Sequence, residues 1–165
     1  MKLYHGSTSI VESPVILDSQ RLLDFGKGFY ATTSNEQAEK WVFVKQKREG
    51  SNFKAIVNVY ELVDEILINN KYLVRNFKTA NEEWLDFIIA NRTNNVNHGY
   101  DIVKGAVAND TLYRTLSLYE SGILTKSETI KRLKTHVLFD QISFHNQKVL
   151  QELTYVEYYE LSITN

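Results

Sequence analysis

The 165-residue sequence has no cysteine, which excludes disulfide bonds, thiol catalysis and thiolate metal sites. Its single proline, Pro14, argues against Pro-rich linkers between domains. No run approaches the about 18 apolar residues of a membrane-spanning helix. Lys and Arg total 19 against 20 Asp and Glu, so a net charge of −1 offers no basic field for nucleic acid or an anionic membrane. We expect one domain over residues 1–165, and a cytoplasmic one, because no signal-peptide core begins the sequence.

Several familiar motifs are incomplete. The four histidines, at positions 5, 98, 136 and 145, lack metal-ligand spacing, so no metal site is expected. Asp24-Phe25-Gly26 spells the magnesium motif of kinases, but the glycine-rich and catalytic loops of kinases are missing. Gly26-Lys27-Gly28 is not a phosphate-binding P-loop, because the longer pattern around it is absent. None of these motifs predicts the chemistry of the chain.

Hydrophobic patterning predicts strands alternating with helices, which is typical of an α+β fold. The six predicted strands cover residues 2–5, 29–32, 55–62, 100–104, 139–145 and 154–163. Ser34 to Gln37 and Thr125 to Glu128 fit capping boxes that open two helices. Two more helices are predicted over 79–92 and 111–121, the second ending at Gly122 as a left-handed cap.

Two short motifs near the N-terminus carry the functional signal. Tyr4-His5-Gly6-Ser7 closes the first predicted strand, and Phe25-Gly26-Lys27-Gly28-Phe29-Tyr30 leads into the second. A glycine after the histidine lets a ligand approach the backbone closely. In order and spacing, these motifs resemble the NAD-binding core of ADP-ribosyltransferases of the diphtheria-toxin and poly-ADP-ribose-polymerase type. The resemblance spans most of the chain and implies a split β-sheet core, surrounded by helices, with an NAD cleft.

The resemblance implies roles for individual residues. His5 would hold the ribose on the adenosine side of NAD, Gly6 the nicotinamide carboxamide, and Tyr30 would stack on the nicotinamide ring. Trp41 comes eleven residues after Tyr30 and would cover the opposite face of the ring. The remaining residues expected to contact NAD are Ser7, Gly28, Thr32 and Asn109. Trp41 is equally explained as a core residue, because Ala38, Trp41 and Val42 form a helical stripe.

The third position of the catalytic pattern departs from the family. Where the polymerases carry Glu, this chain has Gln141, which accepts a hydrogen bond but has no charge. That argues against polymer elongation and leaves mono-ADP-ribosylation with help from another carboxylate. Asp110 is the favoured candidate, and Asp140 is the second, although strand alternation turns Asp140 away from Gln141. Gln141 as an ordinary strand residue, and Asn109 with Asp110 as a plain helix cap, are the structural alternatives.

The resemblance is to a bacterial branch often linked with toxin–antitoxin loci. It implies a transferase that modifies an intracellular macromolecule and is neutralised by a cognate antitoxin protein covering the cleft. Whether the acceptor is protein, nucleic acid or a small molecule stays open. The alternative is a catalytically weak module that binds NAD or a protein partner. It is favoured by the glutamine in place of glutamate.

Overall fold

The computed structural model describes residues 1–18, 23–50, 53–94, 97–107, 110–133 and 139–162. These residues form an α+β fold, as the patterning predicts. Its strands are β1 (Lys2–Ser7), β2 (Phe29–Ala31), β3 (Ile56–Glu61), β4 (Val74–Asn76), β5 (Ile102–Ala106), β6 (Asp140–Phe144) and β7 (Thr154–Glu160). Its α-helices are α1 (Asn35–Glu49), α2 (Glu82–Asn94), α3 (Asp110–Glu120), α4 (Lys126–Leu133) and α5 (Gln147–Leu150).

The strands form two separate sheets. Sheet A has the order β1-β3-β7 and is antiparallel throughout. Sheet B has the order β2-β6-β5-β4, in which only β4 and β5 run parallel. Each sheet therefore combines strands from distant parts of the chain.

The two sheets pack face to face around an apolar layer. Side chains alternate between the faces of a strand, so Leu3 and its partner Tyr60 share one face of sheet A. They meet Phe29 and Phe144 from sheet B in one buried cluster. The outer face of sheet A packs on α1, where Val57 contacts Ala38 and Val42.

The outer face of sheet B is covered by α2, α3 and α4. Trp84 and Leu85 of α2 are fully buried there, with Val103 of β5. Gly105 makes the close approach possible, because a Cβ at this position would lie 3.2 Å from the Trp84 ring and 3.0 Å from the Phe25 ring. The order of layers is thus helix, sheet A, sheet B, helices.

The predicted helix signals are confirmed. The Ser34 hydroxyl accepts the backbone N–H of Gln37 at 3.2 Å at the start of α1. Thr125 and Glu128 bond to each other reciprocally at the start of α4. Gly122 adopts the left-handed conformation, with φ of +75°.

Some boundaries were predicted wrongly. β1 continues through Gly6 and Ser7, which pair with β3, so His5 lies within the strand rather than at its end. β4 and α5 were not predicted, because three and four residues are too few to show a hydrophobic period.

Among the described residues, no helix is long and apolar enough to span a membrane.

Candidate functional site

The two sheets are joined where β1 meets the end of β2. The N–H of Tyr4 donates to the carbonyl of Thr32 at 2.8 Å, and the N–H of Thr32 donates back at 3.0 Å. This bridge is isolated, so the pairing of β1 with β2 does not continue from it. Counted two residues forward on β1 and two residues back on β2, the register of the bridge places Gly6 opposite Tyr30 across an unpaired opening. We call this opening, between Gly6 on β1 and Tyr30 on β2, the interstrand gap.

Backbone direction at Gly6 follows from the same bridge. Along an antiparallel strand, the N–H and C=O of alternate residues point to the same side. The backbone groups of Tyr4 point away from β3 and towards Thr32. Those of Gly6, two residues on, therefore also point away from β3 and into the interstrand gap. Gly6 thus presents one hydrogen-bond donor, its N–H, beside one acceptor, its C=O.

His5 reaches across to β2. Its Nδ1 lies 2.6 Å from the backbone oxygen of Tyr30, and a carbonyl can only accept, so Nδ1 carries the proton. Burial lowers the pKa of His5 to about 4, opposed by the bond to Tyr30 and assisted by the nearby charge of Lys45. The ring is therefore neutral near pH 7, and its Nε2 is a hydrogen-bond acceptor.

The side chain of Tyr30 is held by the loop that precedes it. Its hydroxyl donates to the carbonyl of Gly26 at 2.6 Å and accepts the N–H of Phe25 at 3.1 Å. Its ring points to the opposite face of β2 from Phe29, whose ring lies 4.5 Å from that of His5. His5 and Tyr30 therefore meet through the Tyr30 backbone, and their rings lie on different faces of β2.

Three side chains fix the loop before β2. His98 bonds to the carbonyl of Phe25 at 2.9 Å, Tyr30 to that of Gly26, and His145 to that of Lys27 at 2.7 Å. A Cβ on Gly28 would lie 2.9 Å from Nδ1 of His145. The missing side chain of Gly28 is therefore explained by packing against β6.

Helix α1 forms the wall beside β1. A Cβ on Gly6 would lie 2.6 Å from the carbonyl oxygen of Ala38, so the helix rests directly on the strand. Trp41 and Lys45 are four residues apart and share one side of α1. The Trp41 ring is half-buried beneath the guanidinium of Arg48, 5.2 Å away. Packing thus explains the apolar side chains of Ala38 and Val42, while Trp41 lies at the edge of the packed face of α1.

Lys45 adds a positive charge that sequence analysis missed. Its ammonium lies 3.4 Å from the hydroxyl of Ser7 and close enough to His5 to influence its pKa. Within the part of the chain that the structure describes, Lys45 has no carboxylate within 4.0 Å. Its positive charge beside Ser7 and His5 suits an anionic ligand. Its position in a polar helix end, followed by Lys47 and Arg48, gave no signal for this role.

Gln141 lies on the same face of sheet B as Tyr30. Tyr30 pairs with Ser143, so Gln141 is its diagonal neighbour, at a Cα distance of roughly 7–8 Å. Gln141 is buried, and its Nε2 donates to the Asp24 carboxylate at 3.3 Å. The sequence predicted Gln141 near the site but did not indicate Asp24, which was noted only within an incomplete kinase motif.

The other predicted residues have different surroundings. The Asp140 carboxylate accepts hydrogen bonds from Thr32 and Thr33 and pairs with Lys104, so it supports the turn after β2. Thr32 is buried and bonded within that turn. Asp110 is the first residue of α3, but its side chain, like the whole of Asn109, lies outside what the structure describes.

The family model described as protein of unknown function, DUF3990, matches residues 1–155. The chain belongs to this family. The match includes all of the predicted site residues, from His5 to Gln141. No curated protein and no solved structure matches this DUF3990 chain.

Two open surface depressions of the DUF3990 chain lie away from the interstrand gap. One is lined by residues of β1, β3 and β7 around Met1 and Leu62. The other is lined by Phe77, Lys104 and Asp140 at one end of sheet B. Among the described residues, no group of three or more His, Asp or Glu side chains is arranged to hold a metal ion.

Proposed function

We propose that this DUF3990 protein is an NAD-dependent mono-ADP-ribosyltransferase whose nicotinamide site is the interstrand gap. The observation that carries the proposal is the direction of the Gly6 backbone. Its N–H and C=O face the gap together and match the acceptor and donor of a primary carboxamide. Tyr30, which the resemblance to ADP-ribosyltransferases assigns to stacking on the nicotinamide ring, lies across the opening.

The reaction needs little covalent chemistry from the protein. The bond between the nicotinamide ring nitrogen and the anomeric carbon of ribose breaks, and its electron pair leaves with nicotinamide. A lone pair of the acceptor then bonds to the anomeric carbon, and the acceptor's proton passes to water. Positive charge develops on the ribose in between, so fixed acceptors beside the ribose stabilise the transition state.

The residues around the gap suit this task. Nε2 of neutral His5 accepts a hydrogen bond from a ribose hydroxyl. Lys45, beside Ser7, attracts the phosphates that link the two halves of NAD. Trp41, at the margin of α1, provides an aromatic surface for the nicotinamide ring. The glycosidic bond then lies between groups that orient both of its ends, which lowers the barrier by positioning.

The biological role is part of the same proposal. A transferase that consumes NAD and modifies a macromolecule of its own cell is toxic unless it is restrained. We propose a cognate antitoxin protein that covers the gap. The loop leaving β1 supports such contact, because its side chains Ile10, Val15 and Leu17 are exposed at 44%, 51% and 71%. Exposed apolar side chains on one loop suit contact with a partner protein.

The test follows label from NAD. Purified protein is incubated with NAD labelled in the adenylate phosphate, together with a bacterial lysate or with protein and nucleic acid fractions. We expect label in a macromolecule, lost in His5→Ala and Tyr30→Ala and kept in Tyr158→Ala, an exposed tyrosine of β7. Absence of both transfer and release of nicotinamide by the wild-type protein would contradict the proposal.

The second candidate is a module that binds NAD without using it. The uncharged Gln141 favours it, because no described carboxylate lies at the position where the ADP-ribosyltransferases that this chain resembles carry glutamate. It predicts NAD binding by calorimetry with no nicotinamide released over hours. Expression of the chain and of Tyr30→Ala in a bacterial host separates the two further, since only the transferase slows growth in a Tyr30-dependent manner.

A further inference from the structure

Asp24 is a buried carboxylate placed against Gln141. It lies in the loop before β2, is 6% exposed, and its Oδ2 accepts the Gln141 amide nitrogen at 3.3 Å. A carboxylate only accepts hydrogen bonds, and the NH₂ group is the only donor of a glutamine side chain. The amide nitrogen of Gln141 is therefore directed to Asp24, and its carbonyl oxygen is turned the other way.

Asp24 is itself held in place. Its Oδ1 lies 3.5 Å from the guanidinium of Arg92 on α2, and Arg92 also approaches Glu120 of α3 at 3.3 Å. The neighbouring residue, Phe25, donates its N–H to the hydroxyl of Tyr30. The carboxylate is thus anchored to α2 through Arg92 and to β2 through the loop.

The orientation matters because the two ends of an amide have opposite polarity. A carbonyl oxygen directed at the ribose would accept a hydroxyl proton and face developing positive charge favourably. The flipped amide would present N–H groups there and place its carbonyl against the Asp24 carboxylate. Both changes are unfavourable, so the carboxylate selects the acceptor orientation.

We propose that Asp24 is a positioning residue that makes Gln141 an oriented acceptor for the ribose of NAD, in place of a glutamate. This inference rests on the proposed transferase function. Asp140 does not serve this purpose, because its carboxylate is bonded to Thr32, Thr33 and Lys104. Asp24 thus places a carboxylate next to the uncharged side chain of Gln141, on the side of its NH₂ group.

The test exchanges donor and acceptor. In Asp24→Asn, two amides face each other and either orientation of Gln141 can form, so we expect kcat for nicotinamide release to fall about tenfold or more. In Gln141→Glu, two carboxylates meet, and the activity should acquire a dependence on a shared proton as pH is varied. The double variant, which combines both substitutions, places an amide NH₂ at position 24 against a carboxylate at position 141. It should recover at least wild-type kcat.

Controls separate positioning from folding. Free nicotinamide should bind the variants within about twofold of wild type, because the carboxamide contacts are at Gly6 and not at this pair. Asp86→Asn, an exposed change of the same chemistry on α2, should leave kcat unchanged. Wild-type kcat in a folded Asp24→Asn, or a double variant no better than Gln141→Glu alone, would overturn the proposal. If Asp24→Asn does not fold, Gln141→Met, which removes the amide while Asp24 stays, must lower kcat to the same degree.

A measurement that does not depend on catalysis distinguishes the positioning role of Asp24 from the proposed transferase function. The side-chain NH₂ signals of Gln141, assigned by their loss in Gln141→Met, should exchange slowly with deuterium in the wild-type protein because Asp24 holds them. Rapid exchange would overturn the positioning inference even if the protein is a transferase. Slow exchange in a protein that neither binds nor cleaves NAD would refute the transferase function, and with it the catalytic part of this inference.

Discussion

The imidazole rings of His98 and His145 meet edge to face, with centroids 4.6 Å apart, and each ring bonds to a carbonyl of the loop before β2. Nδ1 of His145 donates to Lys27, so its Nε2 accepts the Ser143 hydroxyl at 2.7 Å. Burial lowers the pKa of His145 to about 4 and also lowers that of His98. The two histidines therefore hold the loop while both of their rings are uncharged.

Stability should consequently depend on pH through these histidines. The pKa of His5 and of His145 is about 4 in the folded protein, against an ordinary value of 6.5. Below about pH 6.5 the unfolded chain binds protons that the folded chain excludes, so stability falls progressively between pH 6.5 and 4. Each such histidine contributes at most about 1.4 kcal/mol per pH unit.

Urea unfolding at several pH values between 7.5 and 5 measures this slope. His145→Gln should lower stability at pH 7.5 by about 1 kcal/mol, because the bond to Lys27 is weakened. The same variant should show a shallower loss towards pH 5 than wild type. An unchanged slope would mean that His145 is not held neutral by the fold.

Gly6→Ala should damage both fold and binding. The added methyl group meets the Ala38 carbonyl, so α1 must move, at a cost of about 1–3 kcal/mol in unfolding free energy. Gly122→Ala is the matched control, because its Cβ meets open space and only the left-handed backbone resists, at about 1–2 kcal/mol. We expect nicotinamide binding to be lost in Gly6→Ala and kept in Gly122→Ala.

Trp41 can be tested by its fluorescence. The chain has two tryptophans, and Trp84 is fully buried with its indole N–H bonded to Ala106. If nicotinamide stacks on Trp41, it should quench wild-type emission and leave the emission of Trp41→Phe unchanged. Binding of nicotinamide to Trp41→Phe, followed by calorimetry, checks that the lost signal is not lost affinity. Equal quenching in both proteins would remove Trp41 from the site.

Lys45→Gln should weaken binding of NAD but not of nicotinamide, since only NAD carries phosphates. The loss should be about tenfold at low salt and smaller at high salt, because ions screen the attraction. Lys47→Gln removes the same charge from an exposed position of α1 and serves as the control. Similar losses in both variants would indicate a general charge effect rather than a contact at Ser7.

The sequence predicted the local features of this fold better than their assembly. Ser34, Thr125 and Gly122 act on their own helices, so short patterns revealed them. The meeting of Asp24 with Gln141 depends on pairing across 117 residues, which no local pattern contains. Likewise, Gly28 was expected at a ligand because of its motif, while its packing on His145 became visible only in the assembled sheet.

The structure brings only some of the predicted residues together, for a similar reason. The backbones of His5, Gly6 and Tyr30 lie near one another because β1 and β2 bridge at Tyr4 and Thr32. Strand alternation correctly turned Asp140 away from Gln141. Lys45 and Asp24 were missed, since their roles come from what a long or buried side chain reaches, not from sequence spacing.

The pairing of β2 with β6 also bears on how the protein is made. Tyr30 lies opposite Ser143, so β2 is paired only when a segment more than a hundred residues later is present. Sheet A is likewise completed only by β7, which pairs with β3 across about a hundred residues. During synthesis, the residues of β6 and β7 must therefore leave the ribosome before both sheets beside the gap can form.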